Sequence, residues 1–134
     1  MGVVNQPQSS SEAPTDAVRI LDGIRVIDCS EGIAGPVAAM MLAEAGADVI
    51  KVEQPGGDPS RASEGFRTWN RSKRGVVLDL HDEAEREQLH TLLDGADAFI
   101  HGFGPATAAE LGLTDDELVA RHPHLITCAV LGWP

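Results

Sequence analysis

The sequence predicts an α/β fold, a mostly parallel sheet flanked by helices, on three observations. β-Branched runs such as Val49-Ile-Lys-Val52 alternate with helical stretches, the links between them are short, and Gly or Pro stands where elements must stop. Strands that alternate with helices across short links require right-handed crossovers, and hence parallel neighbours. With 134 residues, 43% of them apolar, the chain has the size of one domain.

Residues 1–18 are polar, rich in Ser, Gln and Pro and without periodicity, which predicts a disordered leader ahead of a folded part over 19–134. Ile24-Arg-Val-Ile-Asp28 reads as the first strand. A helix follows, with Pro36 suited to its first turn, Gly46 to its end, and Val37, Met40, Met41 and Leu42 as its apolar face. Asp48–Glu53 is the second strand, and a loop runs from there to about Arg74. Val76–Leu80 is the third strand, and Asp82 can cap a helix over Glu83–Leu93 with Leu89, Leu92 and Leu93 inward. Ala98–His101 is the fourth strand. Short helices near Thr107–Leu111 and Thr114–Arg121 follow, then a buried strand over Leu125–Leu131. The order is that of a Rossmann-like domain.

Composition removes several functions. A formal net charge of −11 and 4% aromatic residues argue against nucleic-acid or anionic-membrane binding. No apolar run is long enough to span a bilayer, and no basic-then-apolar signal opens the chain. The two cysteines, Cys29 and Cys128, lack metal-ligand spacing and fit a reduced, cytoplasmic protein. Charge is uneven: Arg61, Arg67, Arg71, Lys73 and Arg74 face one acid, Glu64, across residues 61–74, whereas residues 79–120 hold eleven acids against Arg86. The acidic part reads as a solvated helical face. The basic stretch either meets an anion or offsets acids of its own fold.

A dinucleotide site needs G-x-G-x-x-G between the first strand and helix, and an acid at the end of the second strand. Glu53 stands at that second place. Gly32-Ile-Ala-Gly35-Pro36 has the wrong glycine spacing, and Pro36 removes an amide that could face phosphate, so the nicotinamide reading ranks third. His122 and His124, with no third ligand, read as surface residues rather than a metal site. Cys29 reads as a small buried thiol and Ser30 as part of a turn.

Four linked stretches carry more. LDGIRVIDCSEGIAGP (21–36), GADVIKVEQPGGDPSR (46–61), NRSKRGVVLDL (70–80) and ADAFIHGFGP (96–105) resemble, in order and spacing, the N-terminal region of the family III CoA-transferases. That family includes carnitine and formyl-CoA transferases, bile-acid-inducible dehydratase-like proteins and α-methylacyl-CoA racemases. The resemblance covers about residues 20–134. It implies that CoA or acyl-CoA is bound as substrate, with no covalent cofactor and no metal, and that the full-length protein forms a homodimer. It also implies a turn at Ile33, Ala34 and Gly35 beneath the thioester end, with Lys73, Arg74, Leu78 and Leu80 near the adenine and phosphates.

In that family an aspartate carboxylate attacks the acyl-CoA thioester. The resemblance puts this residue downstream of the segment Ile126–Gly132, so residues 19–134 are expected to be the N-terminal part alone, truncated before the catalytic region and inactive by itself. Four positions depart from the family pattern: Gln54 and Glu110 stand for Arg, His81 for Lys, and Gly102 for the Asn of E-N-F-x-P-G. Lost cations disfavour phosphate, and they leave a second reading open, a degenerate structural or interaction half of a tandem CoA-transferase-like protein.

Overall fold

The computed structural model describes residues 19–132, so the expected leader lies outside the described residues. Five strands form one sheet: β1 (Arg25–Cys29), β2 (Asp48–Glu53), β3 (Arg74–Val77), β4 (Ala98–His101) and β5 (Ile126–Ala129). Their spatial order is β3-β2-β1-β4-β5, and every neighbouring pair is parallel. The α/β expectation holds. β2 and β4 fall where the sequence places them, and Val49, Ile50, Val52, Phe99 and Ile100 are buried, as a strand covered on both faces requires.

Helix α1 (Ala34–Glu44) covers one face of the sheet. Its buried stripe is Gly35, Pro36, Ala39, Met40 and Ala43, packed on Val26, Val49 and Ile100. Met41, expected inward, is instead 63% exposed. Small side chains at helical spacing let α1 approach the sheet closely, and they, rather than the bulkier Met41, set its inward face. A 3₁₀ turn (Pro59–Ala62) and a short helix α2 (Phe66–Trp69) break up the stretch expected to be plain loop.

The other face carries α3 (Glu83–Asp94), α4 (Pro105–Leu111) and α5 (Asp115–Arg121). Asp82 caps α3 by accepting from Glu85 N at 3.0 Å, as expected, and a Thr114–Glu117 capping box starts α5. Leu89, Leu93, Leu111 and Leu118 pack with Ile27, Val52 and Phe99 into the larger core. β5 is the main departure: it is shorter than expected, and Ile126 is 71% exposed. As an edge strand it packs on one neighbour only, so its apolar side chains are not enclosed by the described residues.

Candidate functional site

The strand order reverses between β1 and β4, and this is where α/β sheets place ligands, outside the carboxyl ends of the strands. A cavity of about 520 Å³ opens there. Its floor is Cys29, Val52, Leu78 and Leu111, all buried. Leu80, Phe103 and Thr107 form walls, while Glu31, Glu53, Asp79 and His81 supply the ionisable groups. None of the described lining residues is Lys or Arg. Arg86, just outside, donates to Leu80 O at 2.8 Å.

Around the β1–α1 turn lies a buried ionic layer. Lys73 Nζ, its side chain 2% exposed, sits 2.8 Å from Asp28 Oδ2 and donates also to Pro36 O and Asn70 Oδ1. Burial lowers the Lys73 pKa, while Asp28 opposes that shift. Asp28 in turn accepts from the backbone N and the hydroxyl of Ser30. Lys51 Nζ donates to Ser30 O at 2.8 Å and pairs with Asp58 Oδ2 at 3.0 Å. These bonds clamp the β1–α1 turn. Gly35 fits it from the other side: a Cβ there would lie 2.3 Å from Ser30 Cβ and Oγ.

Glu53 does not wait for a ribose. Arg61 forks onto it, Nε to Oε2 at 2.6 Å and Nη2 to Oε1 at 2.7 Å, and Asp58 N donates to Oε2 at 2.9 Å. Burial pulls its pKa up, yet Arg61 and the Asp58 amide win and hold the carboxyl below the ordinary range. Glu53 therefore ties down the Gly-Pro loop after β2. The basic stretch is resolved in the same way: Arg61, Arg71, Lys73 and Arg74 pair with Glu53, Glu44, Asp28 and Asp48, all from β1, α1 and β2. Four of its five cations offset acids of their own fold.

Of the seven residues expected at a CoA site, Leu78 and Leu80 line the cavity. Ile33 and Ala34 are exposed at the start of α1, and Gly35 and Lys73 are enclosed by the turn network. Arg74 lies at the amino end of β3, opposite Ile50, where Asp48 takes both its Nε and Nη2. That is the far end of the strands from the crevice.

Two histidine features escaped the sequence reading. Cys29 and His101 are register partners at the ends of β1 and β4. His101 is buried between Phe99 and Phe103, accepts from Phe103 N, and leaves Nε2 without a partner among the described residues. Burial lowers its pKa and raises that of the Cys29 thiol, to which Asp28 adds. His122, expected at the surface, is 1% exposed and corrects that expectation. Its Nε2 is 2.9 Å from His90 Nδ1, and its Nδ1 is 2.9 Å from Asp94 Oδ1, off the ideal hydrogen-bond direction. Only the meeting of α3 with the end of α5 encloses it, and local sequence holds no signal for that. Among the described residues no group of three His, Cys, Asp or Glu is placed to hold a metal ion. No described helix is long and apolar enough to cross a membrane.

Residues 21–134 match the profile of CoA-transferase family III. A Mycobacterium tuberculosis relative named "Probable fatty acyl-CoA transferase" is 40% identical over 117 residues, covering 79% of this chain and 30% of its own length. A succinyl-CoA:glutarate CoA-transferase of Mus musculus is 32% identical, covering 96% of this chain and 31% of its own. Among solved structures, a Mycobacterium tuberculosis protein aligns with a TM-score of 0.80 at 39% identity over 84% of this chain and 34% of its own. A CAIB/BAIF family protein from Brucella suis aligns with a TM-score of 0.79 at 36% identity over 84% of this chain and 33% of its own. The chain thus spans about a third of the length of these relatives.

Proposed function

The chain belongs to CoA-transferase family III, matching its N-terminal part, and we propose that its crevice receives part of a CoA or acyl-CoA molecule during transfer of CoA between carboxylic acids. One observation carries this reading: the cavity opens at the carboxyl ends of parallel strands, where their order reverses. Leu78, Leu80 and Phe103 give a ligand apolar walls, and Thr107 offers a hydroxyl. Ile33 and Ala34 at the exposed start of α1 face the thioester end in this reading. Lys73 and Gly35 hold that turn in place from beneath.

These residues bind and orient; the floor holds no activated nucleophile. The Cys29 thiol is kept protonated by burial and by Asp28. Ser30 is buried, with its hydroxyl donated to Asp28. The ligand in this reading is CoA or acyl-CoA, handled in the cytoplasm, and the full-length protein works as a homodimer.

A second reading, a non-catalytic interaction module, is favoured by a lining that, among the described residues, carries Glu31, Glu53 and Asp79 and no Lys or Arg. Calorimetric titration of CoA and acetyl-CoA into the protein, repeated with Leu80→Glu, separates the two. Micromolar binding that Leu80→Glu abolishes supports the CoA crevice. No heat with either ligand at millimolar concentration supports the module.

A further inference from the structure

His81 Nδ1 lies 3.4 Å from Glu110 Oε1, beside the crevice that His81 lines. His81 belongs to the loop after β3 and lines the cavity, while Glu110 comes from α4, next to the lining residue Leu111. Both side chains are about two-thirds exposed, at 67% and 65%, whereas the floor beneath them is closed. They are rim residues. The other ionisable lining groups are the acids Glu31, Glu53 and Asp79. Arg61 already neutralises Glu53, and Arg86 is turned to the Leu80 carbonyl. The described lining holds no Lys or Arg to meet a phosphate, and its imidazole, His81, lies beside a carboxylate.

Resting on the CoA reading above, we propose that Glu110 is a specificity-determining residue. By placing a negative charge beside His81, a residue of the lining, it disfavours phosphate-bearing ligands relative to uncharged ones of the same shape. The physics is Coulombic. A carboxylate within several ångströms of a phosphate repels it even in water, and exposure with salt screening keeps the effect moderate. Removing the charge leaves His81 free to face the ligand, while apolar and amide contacts with the crevice walls stay as they are.

The test is titration of CoA and of pantetheine, which has CoA's thiol arm without phosphate, into the wild-type chain, Glu110→Gln and Asp22→Asn. Asp22→Asn makes the same change in net charge in the exposed turn before β1, at the other end of the strands. The expected result is CoA affinity raised about three- to tenfold by Glu110→Gln, with pantetheine unchanged and Asp22→Asn without effect. Equal gains for CoA and pantetheine, or equal gains from both variants, overturn the inference while leaving CoA binding in the crevice intact. CoA binding that is the same in all three chains overturns it likewise. No CoA binding to any of them overturns both the inference and the reading on which it rests. Glu110 is exposed, so circular dichroism is expected to show the same fold in every chain.

Discussion

Lys73 Nζ lies 2.8 Å from Asp28 Oδ2 with both side chains almost wholly enclosed, 45 residues apart in sequence. A buried ion pair contributes little net stability when complete, but breaking it strands a charge. Lys73→Ala is expected to cost about 3–5 kcal/mol, because Asp28 is left buried and unpaired. The double variant Lys73→Met with Asp28→Asn is expected to recover much of that loss. Urea unfolding checks both, and additive losses in the double variant contradict the pairing.

Gly35 carries a steric demand. A Cβ there meets Ser30 at 2.3 Å, and Ser30 is pinned by Asp28 and Lys51. Gly35→Ala is expected to cost about 1–3 kcal/mol through overpacking, and Ser30→Gly in the same chain is expected to restore part of it. Thermal melts of the two variants measure this. An unperturbed Gly35→Ala melt means the helix start has room that the geometry denies.

Glu53 links pH to the loop after β2. Its folded pKa is depressed, so its contribution is full above the ordinary glutamate value of about 4.3 and is lost as pH falls through the lower folded value. Arg61→Ala is expected to lower the urea midpoint at neutral pH and to flatten the acid limb below pH ~5. Arg61→Lys restores the charge without the two-pronged fork and is expected to fall between. Identical acid limbs in wild type and Arg61→Ala contradict the assignment.

The His90–His122 contact adds a second acid-sensitive joint. A proton on His122 Nδ1, on the side of Asp94, leaves Nε2 to accept a hydrogen bond from His90 Nδ1. Burial lowers both pKa values. Neutral imidazoles are therefore favoured in the fold: this contribution is full above the ordinary histidine value of about 6.5 and is lost as pH falls below it. The groups facing the pair are Glu87 and Asp94 on α3, Arg121 on α5 and, beyond it, His124. Between pH 7 and 5, His90→Phe is expected to lose less stability than wild type, as read by urea unfolding at each pH. A wild-type curve that is flat over this range contradicts the buried neutral pair.

Much of this was legible in the chain, for identifiable reasons. β2 and β4 declare themselves because apolar runs flanked by turn residues depend only on neighbours in sequence. Of the residues the sequence singled out, Leu78, Leu80 and the buried thiol of Cys29 line the crevice, while Ser30 is buried in the turn behind it. What stayed hidden depends on distant pairing. Lys73 reads as a loop cation until Asp28 is seen beneath it, and His122 reads as a surface residue until α3 closes over it. Met41 misleads because apolarity alone does not reveal that Ala39 and Ala43 allow the closer approach. His81 and Glu110 each stand out in sequence, but only the fold shows that they face one another.

The most direct test of the central claim is amide chemical-shift mapping of the isotopically labelled protein titrated with CoA. The expected result is shifts that cluster at Leu80, Phe103 and Thr107 around the crevice and spare Arg25, Asp48 and Arg74 at the amino ends of the strands. Shifts centred on Arg74 and Asp48, or none at saturating CoA, contradict a CoA-binding crevice at the β1–β4 reversal.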